Sequence, residues 1–300
     1  MQQIDTILVA VDRDGSRVAL AKAITVARLF GARLELFLCD AACAYEQEHQ
    51  YDPRSAALAR DSSLFGAREY LESLWRSFSV HDVAVTMDVA CETPLYEGIM
   101  HKVKRSAPQL VVRGASGREG RFFGASDWDL AQSCPVPLLL TKGRLWESRP
   151  VIAAAVDLSA EESPALTHSI LALAKQFADV GRGTLEVLHA GYFREPQTLA
   201  LHRAKLEQRA REAGVAPSAL HLIDGEPAEA LTEFAATCHY DLMVLGALTH
   251  RKALTALLGT LTGHLIDTID SDFLLVKPAA RSCKAADRRA DPPMAASPAA

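Results

Sequence analysis

The sequence predicts an α/β protein of two tandem domains, each a parallel β-sheet with helices on both faces. The chain repeats its own pattern at long spacing: TILVAVD at 6–12 returns as VIAAAVD at 151–157, and QLVVRGA at 109–115 returns as DLMVLGA at 241–247. A repeat of this length indicates a duplicated domain. Short apolar runs alternate with amphipathic helical patterns, which is typical of parallel strands joined by right-handed crossovers and buried on both faces.

The elements follow in the same order in both halves. Strands are predicted near 6–11, 34–39, 83–89, 109–113 and 137–141, and again near 151–156, 184–189, 220–223, 241–245 and 273–277. Apolar stripes at helical spacing between them, such as Leu231, Phe234, Ala235 and Cys238, predict the covering helices. The segment 40–63 is longer than its counterpart in the second half, so we expect it to include a mobile surface loop.

The length of 300 residues suits two domains that each bury a core. We expect the first domain over 1–143, a linker over 143–150, and the second domain over 150–279. The remainder, 280–300, is rich in Ala, Arg, Pro and Ser. Such a segment lacks the apolar surface that offsets the entropy of ordering, so we expect a disordered tail.

Composition and charge exclude several classes of partner. The net charge of -5 gives no general basic surface for nucleic acid. No apolar run approaches the roughly 20 residues of a membrane helix, and the first residues lack the basic start of a signal peptide. The six cysteines are scattered through mostly apolar segments, which favours reduced thiols. We therefore expect a cytoplasmic protein.

The sequence lacks the common catalytic signatures. It contains no G-x4-G-K-[ST] loop, no G-x-S-x-G elbow and no H-E-x2-H pair. We therefore expect no catalytic residues and a protein that is not an enzyme. A weak ATP hydrolysis, which needs only positioning and a metal, stays open.

Several segments of the chain resemble the universal stress protein family in its tandem form, and its E type in particular. They are the strands that end in Asp12 and Asp157, GEPAEA at 225–230, DLMVLG at 241–246, and SDWDL at 126–130. The resemblance implies a Rossmann-like, doubly wound sheet of five parallel strands in the order 3-2-1-4-5. Ligands of such sheets lie at the switch point between strands 1 and 4.

The resemblance also implies partners and a role. Family members commonly pair through the edges of their fifth strands, so we expect an intramolecular pseudo-dimer through 138–141 and 273–277. A homodimer and an unknown protein partner stay open. The role implied is survival under stress, by regulation or protection.

Members of the family that bind ATP carry a G-x2-G-x9-G-[S/T] loop after strand 4. Glycines let backbone amides approach phosphate, and the following helix start favours an anion. In the second half this pattern reads Gly246, Thr249, Gly259 and Thr260, followed by Thr262. Thr249 replaces the second glycine. With Asp157 beside the base and ribose, the resemblance implies ATP or a related adenine nucleotide, with Mg²⁺ accompanying ATP.

The first half keeps a different part of the motif. Asp12, Gly114, Gly117 and Gly124 are present, but the loop is three residues shorter than the family pattern. Two interpretations stand for both halves: the glycines contact phosphate, or they only turn a strand into a helix. Likewise each aspartate either binds nucleotide or caps a helix. The alternative function is a nucleotide-free scaffold that binds another small ligand or a protein.

A zinc site is a further option in the first half. Cys39, Cys43 and His49 supply two thiols and an imidazole, which are zinc ligands. Their spacing matches no recognised ligand pair, and Cys39 ends a predicted strand, which favours an apolar cysteine and a loop. His189 also ends a strand near the crevice, where a hydrogen-bonded core histidine is the more common interpretation.

Overall fold

The computed structural model describes residues 3–13, 16–48, 52–114, 124–159, 162–216, 219–247 and 261–278. In the first half the strands are β1 (Thr6–Val11), β2 (Arg33–Cys39), β3 (Val85–Ala90), β4 (Leu110–Gly114) and β5 (Leu138–Thr141). In the second half they are β6 (Val151–Ala155), β7 (Thr184–Gly191), β8 (Leu220–Asp224), β9 (Leu242–Gly246) and β10 (Asp272–Val276). Every described strand lies within two residues of its predicted position.

Helices connect these strands in the order that the repeat predicts. The first half contains α1 (Ser16–Phe30), α2 (Ala41–Glu48), α3 (Pro53–Arg76), α4 (Leu95–Ser106) and α5 (Ala125–Ser133). The second half contains α6 (Pro164–Gly181), α7 (Pro196–Glu212), α8 (Pro227–Cys238) and α9 (Leu261–Thr268). Among the described residues, no helix combines the length and the apolar character that a membrane span requires.

The strands form one continuous sheet in the order β3-β2-β1-β4-β5-β10-β9-β6-β7-β8. Each half therefore has the expected order 3-2-1-4-5, and pairing within each half is parallel. Where the halves meet, β5 and β10 pair antiparallel, with Leu139 opposite Leu274. This confirms the predicted pairing of the two fifth strands within one chain.

Both hydrophobic cores extend through both halves. Successive strand residues point to opposite faces, so Ile7 and Ile152 belong to one core while Leu8 and Ala153 belong to the other. On the first face, Phe30 of α1 meets Phe177 of α6 at 4.9 Å between ring centroids. On the second face, Gly263 lies close to the Trp128 indole: a Cβ built on Gly263 would be 3.8 Å from the ring. Trp128 is thus a packing residue.

One expectation about the first half is wrong, and another is tested only in part. The described part of 40–63 is largely helical: α2 occupies its start, and α3 begins at Pro53, where the Asp52 carboxylate accepts from the amides of Arg54 and Ser55. Residues 49–51 lie outside the described residues, so the expected loop stays a prediction. Asp before Pro is a strong helix start. The expectation of reduced thiols is wrong for one pair, because Cys43 and Cys91 form a disulfide with Cα atoms 5.6 Å apart. The expected tail at 280–300 lies outside the described residues.

Candidate functional site

The site predicted from the sequence lies where the strand order reverses. β1 is paired with both β2 and β4, and β6 is paired with both β7 and β9. The carboxyl ends of β1 and β4 therefore border one crevice, and those of β6 and β9 border the other. The two crevices differ in the groups that fill them.

In the first half, a buried arginine occupies the crevice. Arg113, near the end of β4, is 2% exposed. Its guanidinium lies 2.5 Å from a carboxylate oxygen of Asp12 and donates from Nε to Asp127 Oδ1 at 2.8 Å. Burial acts to lower the pKa of Arg113, but the two carboxylates outweigh it and hold that pKa above its ordinary value. The carboxylate of Asp12 thus has an internal cationic partner.

The start of α5 is also used internally. The amide of Gly124, the N-cap of α5, donates to Asp127 Oδ2 at 2.8 Å. A helix start offers its free amides to an anion, and here the carboxylate of Asp127 takes one of them. The amide of Gly124 is therefore hydrogen-bonded to the ion cluster that Arg113 forms with Asp12 and Asp127. Gly114 ends β4, and Gly117 lies outside the described residues.

In the second half, the same positions carry different chemistry. Leu245 stands in β9 where the repeat places Arg113 in β4, so no guanidinium projects from that position. Asp157 is exposed, and its carboxylate accepts from the amide of Ser159 at 2.8 Å and from the Ser159 hydroxyl at 2.9 Å. Among the described residues, Asp157 forms no ion pair with Lys or Arg.

A histidine pair borders the second crevice. His189, at 4% exposure, lies with Nδ1 at 2.9 Å from the carbonyl oxygen of Val156 and Nε2 at 2.8 Å from Nδ1 of His202. A carbonyl only accepts, so in the neutral pair each Nδ1 carries the proton, and Nε2 of His189 accepts from His202. Burial lowers the pKa of both imidazoles. This agrees with the interpretation of His189 as a hydrogen-bonded core residue.

The glycine that begins the nucleotide motif has a packing role. A Cβ built on Gly246 would lie 2.7 Å from Cδ2 of Leu166, a buried side chain of α6. The missing side chain therefore lets α6 pack against the end of β9. Thr262 is half-buried in the first turn of α9. Thr249, Gly259 and Thr260 lie outside the described residues, so the phosphate-binding part of the motif stays a prediction.

The cysteines of the first half do not assemble as the zinc option requires. Cys43 is bonded to Cys91, and His49 lies outside the described residues. The thiol of Cys39 is buried, and burial raises its pKa to about 11, so it resists forming the thiolate that binds metal. Within the described ranges, no group of three or more His, Cys, Asp or Glu residues could hold a metal ion.

Sequence reasoning overlooked Arg113, Asp127 and His202. Arg113 had a visible signal, because a charged residue interrupts an apolar run whose copy carries Leu245. Asp127 had no signal beyond its position at a helix start. His202 lies on the polar helix α7, where nothing in the sequence links it to His189.

Comparison with known proteins supports the same fold. The model of the Universal stress protein family matches residues 3–142 and 149–277. Two relatives named Universal stress protein E are each 21% identical. That of Photorhabdus laumondii aligns over 309 residues, covering 94% of this chain and 98% of the relative. That of Escherichia coli K12 aligns over 301 residues, covering 93% and 95%.

A solved structure shows the same arrangement of both halves. A functionally unknown protein from Pseudomonas aeruginosa superposes with a TM-score of 0.69 at 23% identity. The match covers 92% of this chain and 93% of the other. At this identity the likeness concerns the fold and leaves ligands undetermined.

Proposed function

This chain belongs to the universal stress protein family, and we propose that it is a regulatory stress-response protein whose second half binds ATP or a related adenine nucleotide. Asp157 would lie beside the base and ribose. Gly246, Thr249, Gly259, Thr260 and Thr262 would shape the phosphate loop, with Mg²⁺ accompanying the triphosphate. The protein acts by binding and catalyses no reaction in this proposal.

One contrast between the two copies carries the proposal. In the first crevice Arg113 pairs with Asp12. In the second, Leu245 replaces the arginine and the Asp157 carboxylate accepts only from Ser159 among the described residues. A carboxylate has about four acceptor positions, so Asp157 keeps capacity for hydroxyl or amine donors of a ligand. The second half is therefore the one we assign to nucleotide.

Native mass spectrometry and calorimetry with Mg²⁺ and ATP test this proposal. We expect one adenine nucleotide per chain, lost in Gly259→Asp and weakened at least tenfold in Asp157→Ala. Gly117→Asp places the same change in the first half and should keep the nucleotide. A chain that carries no nucleotide and gives no heat with ATP refutes nucleotide binding.

A nucleotide-free scaffold is the second candidate. Two observations favour it: Gly246 is explained by packing against Leu166, and the amide of Gly124 is bonded to Asp127. In this case the chain would present its surface to a protein partner or to a second copy of itself. A clean apo mass, together with a stable dimer in light scattering, would support it, whereas a co-purified nucleotide would contradict it.

A further inference from the structure

A cavity of about 340 Å³ lies between helices α6 and α7, beside the loop that follows β6. Its walls include Asp157 and Glu162 from the loop, Thr167 from α6, and Lys205 and Arg209 from α7. This volume is at the lower end of the range of about 300 to 1,000 Å³ for small-molecule pockets. Neither His189 nor the residues at the end of β9 line it, although it shares Asp157 with the crevice assigned to nucleotide.

The wall of this cavity includes Thr167, a buried residue whose hydroxyl has no hydrogen-bond partner among the described residues. Its residue exposure is only 3%. In the described part of the chain, its hydroxyl takes part in no hydrogen bond, yet no fully buried side-chain oxygen or nitrogen is unsatisfied. The hydroxyl must therefore reach the surface of the cavity that Thr167 lines. A polar group placed this way favours a ligand that supplies the missing hydrogen bond.

The cavity has walls of opposite charge. Lys205 and Arg209 lie four residues apart on α7, so they project from the same side of that helix. Arg209 forms an ion pair with Glu212 at 3.0 Å. Lys205 forms no hydrogen bond or ion pair with any described residue. Asp157 faces them from the loop and spends two acceptor positions on Ser159. A ligand with an anionic end and a hydroxyl-bearing end would match both walls.

The first half places a tyrosine beside the corresponding loop. The hydroxyl of Tyr70, on α3, lies 3.2 Å from the carbonyl oxygen of Asp12 and 3.1 Å from that of Arg13. Tyr70 thus lies against the first residues that follow β1. In the second half, α7 presents Lys205 beside the equivalent loop and leaves a cavity.

We propose that this cavity binds a small hydroxylated anion, the phosphate ester or carboxylate of a polyol. The anionic group would accept from Lys205 and Arg209, while hydroxyl groups would donate to Asp157 and bond to Thr167. The proposal goes beyond nucleotide binding: it shares Asp157 with the nucleotide proposal but requires no residue of the loop after β9.

Calorimetry on the full chain tests the site with three probes of similar size. Ribose 5-phosphate and ribonate carry the two kinds of anion, and ribose is the uncharged control. We expect one anion to bind at one site per chain, at least tenfold more tightly than ribose. Lys205→Gln should weaken that binding about tenfold, and so should Thr167→Val. Valine keeps the shape of threonine, and the hydroxyl that it lacks has no hydrogen-bond partner among the described residues. Arg211→Gln removes a charge elsewhere on α7 and should change nothing.

The comparison of probes and variants decides the outcome. The tighter of the two anions identifies the group that the site takes. No binding of either anion, or equal affinity in wild type, Lys205→Gln and Thr167→Val, overturns the proposal. ATP titrated into wild type, Lys205→Gln and Gly259→Asp distinguishes the two proposals, which share Asp157: the nucleotide proposal expects ATP binding to be lost only in Gly259→Asp. Anion binding without ATP binding would refute only the nucleotide proposal, and ATP binding without anion binding would refute only this one.

Discussion

Lys22 in α1 and Asp272 at the start of β10 form an ion pair across the two halves, with 2.7 Å between Nζ and Oδ1. Both side chains are 2% exposed. Asp272 also accepts from the amide of Lys142 at 2.7 Å and from the indole of Trp146 at 2.7 Å. A single carboxylate of the second half therefore binds three donors from the first half and the linker.

Removing Lys22 should destabilise the whole protein. Lys22→Met leaves Asp272 buried without its cation, a change that costs about 3 to 5 kcal/mol of the free energy of unfolding in other buried pairs. We expect one denaturation transition, shifted to lower urea. Arg28→Gln is the matched control, because Arg28 lies on the same helix but pairs with Asp82 at the surface, where ion pairs contribute little. Equal shifts in both variants would contradict a special role for the buried pair.

The pH dependence of stability should report on Lys142. Its ammonium is buried and donates to the carbonyl of Ile269 at 2.6 Å. Burial lowers its pKa to about 8 despite nearby acidic residues. An unfolded lysine titrates near 10.4, so between these values the unfolded chain binds more protons and stability rises with pH.

Lys142→Met should remove that rise. From pH 8 to pH 10, wild type should gain on the order of 2 to 3 kcal/mol relative to the variant. Urea denaturation at each pH measures the difference. A constant difference between the two proteins across this range would show that Lys142 titrates normally.

Replacing Arg113 by leucine, the residue at the equivalent position 245 of the second half, should destabilise the first half. Arg113→Leu leaves Asp127 buried without its cation, which should cost about 3 to 5 kcal/mol. Arg113→Lys keeps the charge but loses the planar fork that reaches both carboxylates, so its cost should be smaller. Thermal or urea denaturation ranks the three proteins. Equal stability of wild type and Arg113→Leu would contradict the structural role of the cluster.

Acid should weaken the second half through the histidine pair. Because burial lowers the pKa of His189 and of His202, the unfolded chain binds protons first as pH falls below about 6.5. Stability is then lost toward lower pH. His189→Leu, which copies Leu38 of the first half, should flatten this part of the profile between pH 7 and 5. An unchanged slope would mean that the pair does not titrate in this range.

The disulfide should stabilise the first half under oxidising conditions. Its cysteines are separated by 48 residues, and a loop of that length gives about 4 kcal/mol in the chain-entropy model. Without reductant, Cys43→Ser should be less stable than wild type by most of this free energy. With dithiothreitol, which also breaks the bond in wild type, the two proteins should have nearly equal stability. Cys238→Ser alters a free thiol and serves as the control. If reductant leaves wild type as stable as before, Cys43 and Cys91 do not form this bond in solution.

The regular part of the fold was predictable because it rests on local pattern. Strands such as β1 and β9 are continuous apolar runs, and the repeat marks both copies of each. The Asp52–Pro53 helix start is a local signal for α3 that the expectation for residues 40–63 did not use. The crevices were less predictable, since Arg113 and Asp127 meet only after folding, and so do His189 and His202. A glycine such as Gly246 can make room for a ligand or for a packed side chain such as Leu166. The spacing of glycines in a sequence does not distinguish these two roles, because they depend on contacts formed in the fold.

The antiparallel contact between β5 and β10 has a consequence for any partner of this protein. Because it reverses the strand direction halfway along the sheet, the two crevices open at opposite rims of the molecule. A rigid partner of ordinary size can face only one rim at a time. Any coupling between the two rims would have to pass through the shared sheet and the buried Lys22–Asp272 ion pair.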